Sequence, residues 1–128
     1  MKRIAGILVG LGMLVAPALA HHASAAEYDI SKTAIMQGKV TKVEWVNPHV
    51  RIYIDVTGAD GNVVPWEVET GAPGGFTRNG YGKKDLKLGD TITVKVYPAK
   101  DGENAGDAVE ITLSDGRKML AQAADRIN

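Results

Sequence analysis

Apolar residues in this chain recur at every second position, and that period constrains the fold more than any other feature. Val50, Ile52, Ile54 and Val56 alternate with Arg51, Tyr53 and Asp55. Successive side chains of a β-strand point to opposite faces, so the pattern predicts a strand with one buried face. Val64, Trp66 and Val68 repeat it against Pro65, Glu67 and Glu69, and Asp60-Gly61 lies between the two runs. That dipeptide tolerates positive φ at both positions, which predicts a tight two-residue hairpin turn. Pro65 has no N–H to give a ladder, so the second run is expected at a sheet edge or with that position exposed.

The first strand carries more information. Met36, Gly38 and Val40 share one parity, whereas Val43 and Trp45 share the other. A strand that changes face midway has gained a residue, so a β-bulge is expected near Thr41-Lys42. Gly38 favours sharp coiling as well. A long, bent first strand that serves two sheets is how a small barrel closes. Residues 71–89 then break the alternation with Gly71, Pro73, Gly74, Gly75, Gly80 and Gly82. They are expected to form a loop with room for one short helical turn.

Strands resume with Ile92, Val94 and Val96, and then with Val109, Ile111 and Leu113. A polar loop containing Asp101-Gly102 joins them, and Asp115-Gly116 leads into a short segment, Arg117 to Leu120. The predicted fold is all-β: a small five- to six-stranded barrel of the OB type, with a short helix or loop between strands three and four. A plain β-sandwich is the structural alternative.

Ahead of the strands lies a tripartite leader. Lys2 and Arg3 precede an apolar run from Ile4 to Ala16; Pro17 ends it, and Ala18-Leu19-Ala20 offers the small residues a signal peptidase reads. The run is about thirteen residues, short of the roughly 20 a spanning helix needs. The expected organisation is a signal peptide at 1–20, a mobile segment at 21–32, the barrel at 33–121 and a tail at 122–128, with no stable membrane anchor after cleavage. The chain has no cysteine, which excludes disulfides and thiolate chemistry and suits an exported protein of a bacterial periplasm. Removing Lys2 and Arg3 from the 15 basic side chains leaves 13 against 15 acidic ones, a balance of −2. That charge lacks the basic footprint of a nucleic-acid binder. Lys83, Lys84 and Lys87 are interleaved with Asp85 and Asp90 and read as a solvated turn.

No catalytic constellation is legible. Ser24, Ser31 and Ser114 lack a Gly-x-Ser-x-Gly context, and Gly71 to Gly75 precedes no Lys-Ser pair. Glu67 and Glu69, with Glu44 across from them, read as solubilising charges on a strand face. A non-catalytic binding or accessory domain is therefore expected, its ligand an unknown small molecule or a periplasmic protein. The alternative is a metal protein. Cleavage after Ala20 would leave His21 and His22 at the new N-terminus, where the α-amine, imidazole and adjacent amide suit Cu(II). Zn(II) is the other candidate, and His49 is the third potential ligand. Cleavage after Ala25 or Ala26 would discard both terminal histidines. Asn47-Pro48 initiates a turn, after which His49 also suits a capping or packing role. Trp45, Asn47, His49 and Trp66 are the candidate ligand patch at the barrel mouth, although both tryptophans are expected to fill the core.

The runs His21-His22-Ala23-Ser24-Ala25-Ala26-Glu27-Tyr28-Asp29 and Gly38 through Glu44-Trp45-Val46-Asn47-Pro48-His49 carry a likeness. So do Trp66-Glu67-Val68-Glu69, the loop from Arg78 to Leu88 with Gly89-Asp90, and Asp115-Gly116-Arg117-Lys118. Together they resemble an uncharacterised family of small exported bacterial proteins with His-His after the signal peptide and a Glu-Trp-x-Asn-Pro-His motif. The resemblance implies a periplasmic location and a small β-barrel, and it groups His21, His22, Trp45, Asn47, Pro48 and His49 in one recurring pattern. Ser24 stands where the family often has an aromatic, and Gly71 to Gly75 looks looser than the usual helix-leading segment.

Overall fold

The computed structural model describes residues 26–121. Six strands run in order: β1 (Ala34–Glu44), β2 (Arg51–Thr57), β3 (Val63–Glu69), β4 (Thr91–Pro98), β5 (Ala105–Thr112) and β6 (Lys118–Leu120). A six-residue helix, α1 (Pro73–Arg78), and a 3-10 turn (Lys83–Asp85) lie between β3 and β4. The sheet order is β3-β2-β1-β4-β5-β6, and β3 also pairs with β5. That last pairing is parallel, Glu67 to Glu69 against Ala105 to Asp107. It closes five strands into a barrel and leaves β6 as an extra strand on β5. The OB-like barrel is the observed fold, and its closure excludes the sandwich.

Closure depends on β1. Its first half pairs with β4 from Ala34 to Lys39, and its second half with β2 from Lys39 to Glu44. The β1–β2 register shifts between Val40 and Lys42, at the bulge expected from the parity change. Gly38 sits where β1 passes from one partner to the other. A Cβ there would lie 2.9 Å from the Asp55 carbonyl oxygen and 3.0 Å from the Ile54 side chain. The strand can approach β2 this closely only because position 38 has no side chain.

Two local expectations need correction. Val109, Ile111 and Leu113 do not share one face. The β4–β5 register steps from Lys95↔Glu110 to Val96↔Ala108, so Val109 is the extra residue of a second bulge. Ala108 and Ile111 are both fully buried, three positions apart, and Val109 is half-buried. The Asp-Gly turns also differ from the expected two-residue form. Among the described residues only glycines have positive φ, Gly61 at 81° and Gly116 at 89° among them. The Gly61 N–H donates to Gly58 O, and the Gly58 N–H to Asn62 O; Gly116 and Leu113 repeat this with Leu113 O and Arg117 O. Asp60 Oδ1 accepts the Asn62 N–H at 2.9 Å, and Asp115 Oδ1 accepts the Arg117 N–H at 3.0 Å. Each aspartate thus keeps a negative φ and caps the turn with its carboxylate, so only the glycine enters the left-handed region.

Ile52, Ile54, Val68, Ile92, Val94, Val96, Ile111 and Met119 fill the interior with essentially no exposure. Each such side chain stabilises the fold by about 1.5–3 kcal/mol relative to exposure. Helix α1 forms despite its two glycines because Pro73 presets its first turn. The Thr77 hydroxyl donates to Pro73 O at 3.1 Å, and the Asn79 amide to Gly75 O at 2.9 Å. Phe76 carries the helix into the core. Trp45 and Trp66 are half-buried and pack against that core rather than filling it. Pro65 is exposed, in the part of β3 that precedes its pairing with β5. None of the helices among the described residues is long and apolar enough to cross a membrane.

Candidate functional site

Strand β3 ends at Glu69, beside the start of β5 and the segment that precedes β1. Within residues 21–32, read as mobile, Glu27 to Asp29 are held against the barrel. The Asp29 N–H donates to Pro98 O at 2.8 Å, and the Lys100 N–H donates to Glu27 O at 2.9 Å. Tyr28 forms a bridge with Ala99 and is only 8% exposed. Its hydroxyl donates to Glu69 Oε2 at 2.9 Å. Burial, that hydrogen bond and the charges of Glu69, Glu27 and Asp107 push the phenol well above its ordinary pKa. The tyrosine is therefore a proton donor at all physiological pH values, and it orients the carboxylate.

The other oxygen of Glu69 faces His49. The distance from His49 Nε2 to Glu69 Oε1 is 3.6 Å, with the two side chains 24% and 18% exposed. On the far side of the ring, Nδ1 lies 2.9 Å from Thr70 O. A carbonyl oxygen only accepts, so Nδ1 carries a hydrogen and Nε2 is the nitrogen turned to the carboxylate. Asp107 lies opposite Glu69 in the β3–β5 register and is buried. Arg51, which pairs with Glu69 across β2–β3, instead directs its Nε to Glu67 Oε1 at 3.2 Å. The result is a half-buried acid–imidazole pair, each member oriented by a hydrogen bond of its own.

The candidate patch from the sequence is placed differently from member to member. Trp45 follows β1 and meets Phe76, with ring centroids 5.6 Å apart at 42°. Asn47 is exposed on the turn whose Asn47–Pro48 peptide is cis. His49 turns toward Thr70 and Glu69. Trp66 lies on β3 opposite Ile54, three residues before Glu69. The contacts of His49 thus join it to Glu69 and Tyr28, which the sequence reading did not associate with it. The signal was present in part: counting outward from a two-residue Asp60-Gly61 turn pairs Arg51 with Thr70, one residue from its observed partner Glu69, and brings His49 near the end of β3. Tyr28 offered no comparable signal, because its docking depends on the turn after β4. His21 and His22 lie outside the described residues. Among the described residues, no three His, Cys, Asp or Glu side chains converge to hold a metal ion.

Around the outer face of β1–β3, charges pair with one another. Lys42 Nζ meets Glu44 Oε1 at 2.8 Å and sits 5.1 Å from the Tyr53 ring centroid. The Lys42 contact holds the Glu44 carboxyl below its ordinary pKa. These pairs fit the solubilising role expected of Glu44 and Glu67.

A family of unknown function, DUF6152, matches residues 10–108. The chain belongs to this family. The match takes in Tyr28, His49, Glu69 and Asp107, so the whole acid–imidazole cluster lies inside the DUF6152 region. It ends before β6, and Asp115 to Lys118, part of the resemblance noted in the sequence, fall beyond it. A search of the curated proteins matches none of them.

Proposed function

We propose that this DUF6152 protein is exported to a bacterial periplasm by its 1–20 leader and acts there as a non-catalytic binding or accessory domain. Its ligand, a small molecule or a periplasmic protein, meets the surface around His49, Glu69 and Tyr28, flanked by the exposed turn at Asn47. The carrying observation is the Tyr28 hydrogen bond to Glu69, whose other carboxylate oxygen faces His49 Nε2 at 3.6 Å. Three polar groups from separate segments are pre-oriented on one half-buried patch, as a recognition site requires. The absence of a sequence pattern for a nucleophile–base pair supports the non-catalytic reading. The hydroxyls of Ser31 and Ser114 donate to the carboxylates of Asp29 and Asp90.

A second reading is Cu(II) or Zn(II) binding through His21, His22 and His49. One observation favours it: Tyr28, six positions after His22, is tied to the same carboxylate that faces His49. Native mass spectrometry of protein purified from the periplasm, with and without a chelator, tests both readings. The expected species starts at His21 and carries a bound mass that Glu69→Gln reduces. A metal mass removed by chelator selects the second reading. An uncleaved chain retained in the cytoplasm sinks the proposal.

A further inference from the structure

We infer that a cleft between β1 and β2 takes up a short, extended, acidic segment of another polypeptide by adding it as a strand. The site goes beyond the function proposed above. It lies at the Thr57 end of β2, about 20 Å along the strand from Arg51 and the His49 surface. The pairing of β1 with β2 stops at Lys39↔Asp55, whereas β1 runs back along β4 as far as Ala34. β2 continues to Thr57 with β3 as its partner. The two strands therefore part at Gly38, and Ile35 to Gln37 and Asp55 to Thr57 border a cleft of about 430 Å³.

Backbone groups point into this cleft. The Val40 N–H donates to Asp90 O and Val40 O accepts from the Gly89 N–H, so Val40 turns both groups to the β4 side. Antiparallel pairing alternates from residue to residue. Met36 and Gly38 therefore face β4, while Ile35 and Gln37 present N–H and C=O to the cleft. On the opposite wall the Gly58 N–H donates to Asn62 O, and the same alternation directs Val56 to β3 and Thr57 to the cleft. These edge groups have no strand partner among the described residues. What matches a row of such peptide groups is another extended backbone.

Side chains set the kind of segment that fits. Met36 and Val56 are half-buried and pack on the core beneath the cleft, which favours an apolar side chain on the inner face of the added strand. Ile35 is 69% exposed and shares the outer face of β1 with Lys39. Lys95 lies opposite Ile35 on β4, and Glu110, opposite Lys95 in turn, is ion-paired with Lys118. Lys39 and Lys95 thus outweigh Asp55 on this face, and the surplus favours a carboxylate on the segment. An edge running only from Ala34 to Gly38 is too short to bury the roughly 800 Å² per partner of a standard stable interface. The occupant is therefore a short segment and not a second copy.

The test is selection from a library of short blocked peptides on the processed protein, followed by amide exchange read by NMR. Without peptide, the Ile35, Gln37 and Thr57 amides should exchange fast, and those of Met36 and Gly38 slowly. Selected peptides should alternate apolar residues with polar ones that include Asp or Glu, and should slow exchange at Ile35 and Gln37 at least about tenfold. N-methylation of alternate amides in the best peptide should weaken it at least about tenfold, since the backbone bonds are lost and edge groups stay unpaired. Gln37→Pro removes an edge N–H and spares the β4 ladder, so it should weaken binding too. Thermal melts report whether that variant folds, and the methylated peptide gives a reading on wild type that needs no substitution. Selection of no peptide, of basic peptides only, or of peptides that leave Ile35 and Gln37 unprotected overturns the inference. Protection of these amides without peptide also overturns it: growing with protein concentration, it assigns the cleft to a second copy, and at high dilution it means that the chain covers its own edge.

Discussion

At the scale of single residues, the fold turns on positions where a side chain is excluded or forced to act locally. Gly38 is the sharpest case, because the atom nearest to an added Cβ is a backbone oxygen, which cannot rotate away. Gly38→Ala should cost about 1–3 kcal/mol, the range for overpacking a tight site. Urea unfolding measures it, and an unchanged midpoint would show that β1 and β2 can separate without loss. Gly38 was visible in the sequence as a coiling point, but its closeness to Asp55 was not, since that contact joins residues seventeen apart. The aspartates of the hairpin turns teach the reverse lesson. Their identity was legible, whereas their negative φ follows from a carboxylate that caps the N–H two residues on, at Asn62 and at Arg117.

Among elements, α1 is the piece that composition disguises. Gly74 and Gly75 argue against a helix, yet Pro73 starts one and Phe76 anchors it in the core beside Trp45. Phe76→Ala should destabilise the protein by about 3–5 kcal/mol, as burial is lost and a cavity is left. Trp45 should at the same time lose its ring partner, so its fluorescence should shift to longer wavelength in the native state. A large stability loss with unchanged emission would place the anchoring elsewhere. The strands illustrate how far alternation carries a prediction. β2, β3 and β4 followed their period of two, and the β1 bulge showed as a parity change. The β5 bulge did not show, because Val109 is apolar and completed an unbroken alternation with Ile111 and Leu113. Only the pairing with β4 reveals that Ala108 is the inward residue.

For the molecule as a whole, surface carboxylates set the response to acid. Arg117 Nη2 meets Asp85 Oδ1 at 2.8 Å and its Nε meets Asp115 Oδ2 at 2.7 Å, linking the 3-10 turn to the β5–β6 hairpin. The Arg117 contacts hold both carboxyls below their ordinary values, and Asp29 and Asp60 are lowered by bonds from Ser31 and Asn62. A carboxylate with a depressed folded pKa contributes stability that is complete above its unfolded value, about 4, and is lost as pH falls through the folded value. The urea midpoint should therefore be flat near neutral pH and fall below about pH 4. Arg117→Met should lower the midpoint at pH 7, and its deficit against wild type should shrink as acid protonates Asp85 and Asp115. A deficit that stays constant down to pH 2 would mean that Arg117 acts through its packing on Tyr81 and not through charge.

The order of amino acids alone sets the faces of β1 to β4, the first bulge, the places of the turns and the order of elements that makes an OB-like barrel. These follow from local periodicity and backbone preference, which are written in neighbouring residues. Tertiary structure alone decided which strands close the barrel, through the parallel contact of β3 with β5, and which side chains meet at the seam. Tyr28, His49 and Glu69 come from three stretches with no common pattern, and His49 had been grouped with Trp66 by strand position alone. They converge because β3 ends where β5 begins and the chain before β1 pairs with the turn after β4. No window of sequence contains that geometry, since it is produced by long-range pairing once the core has formed.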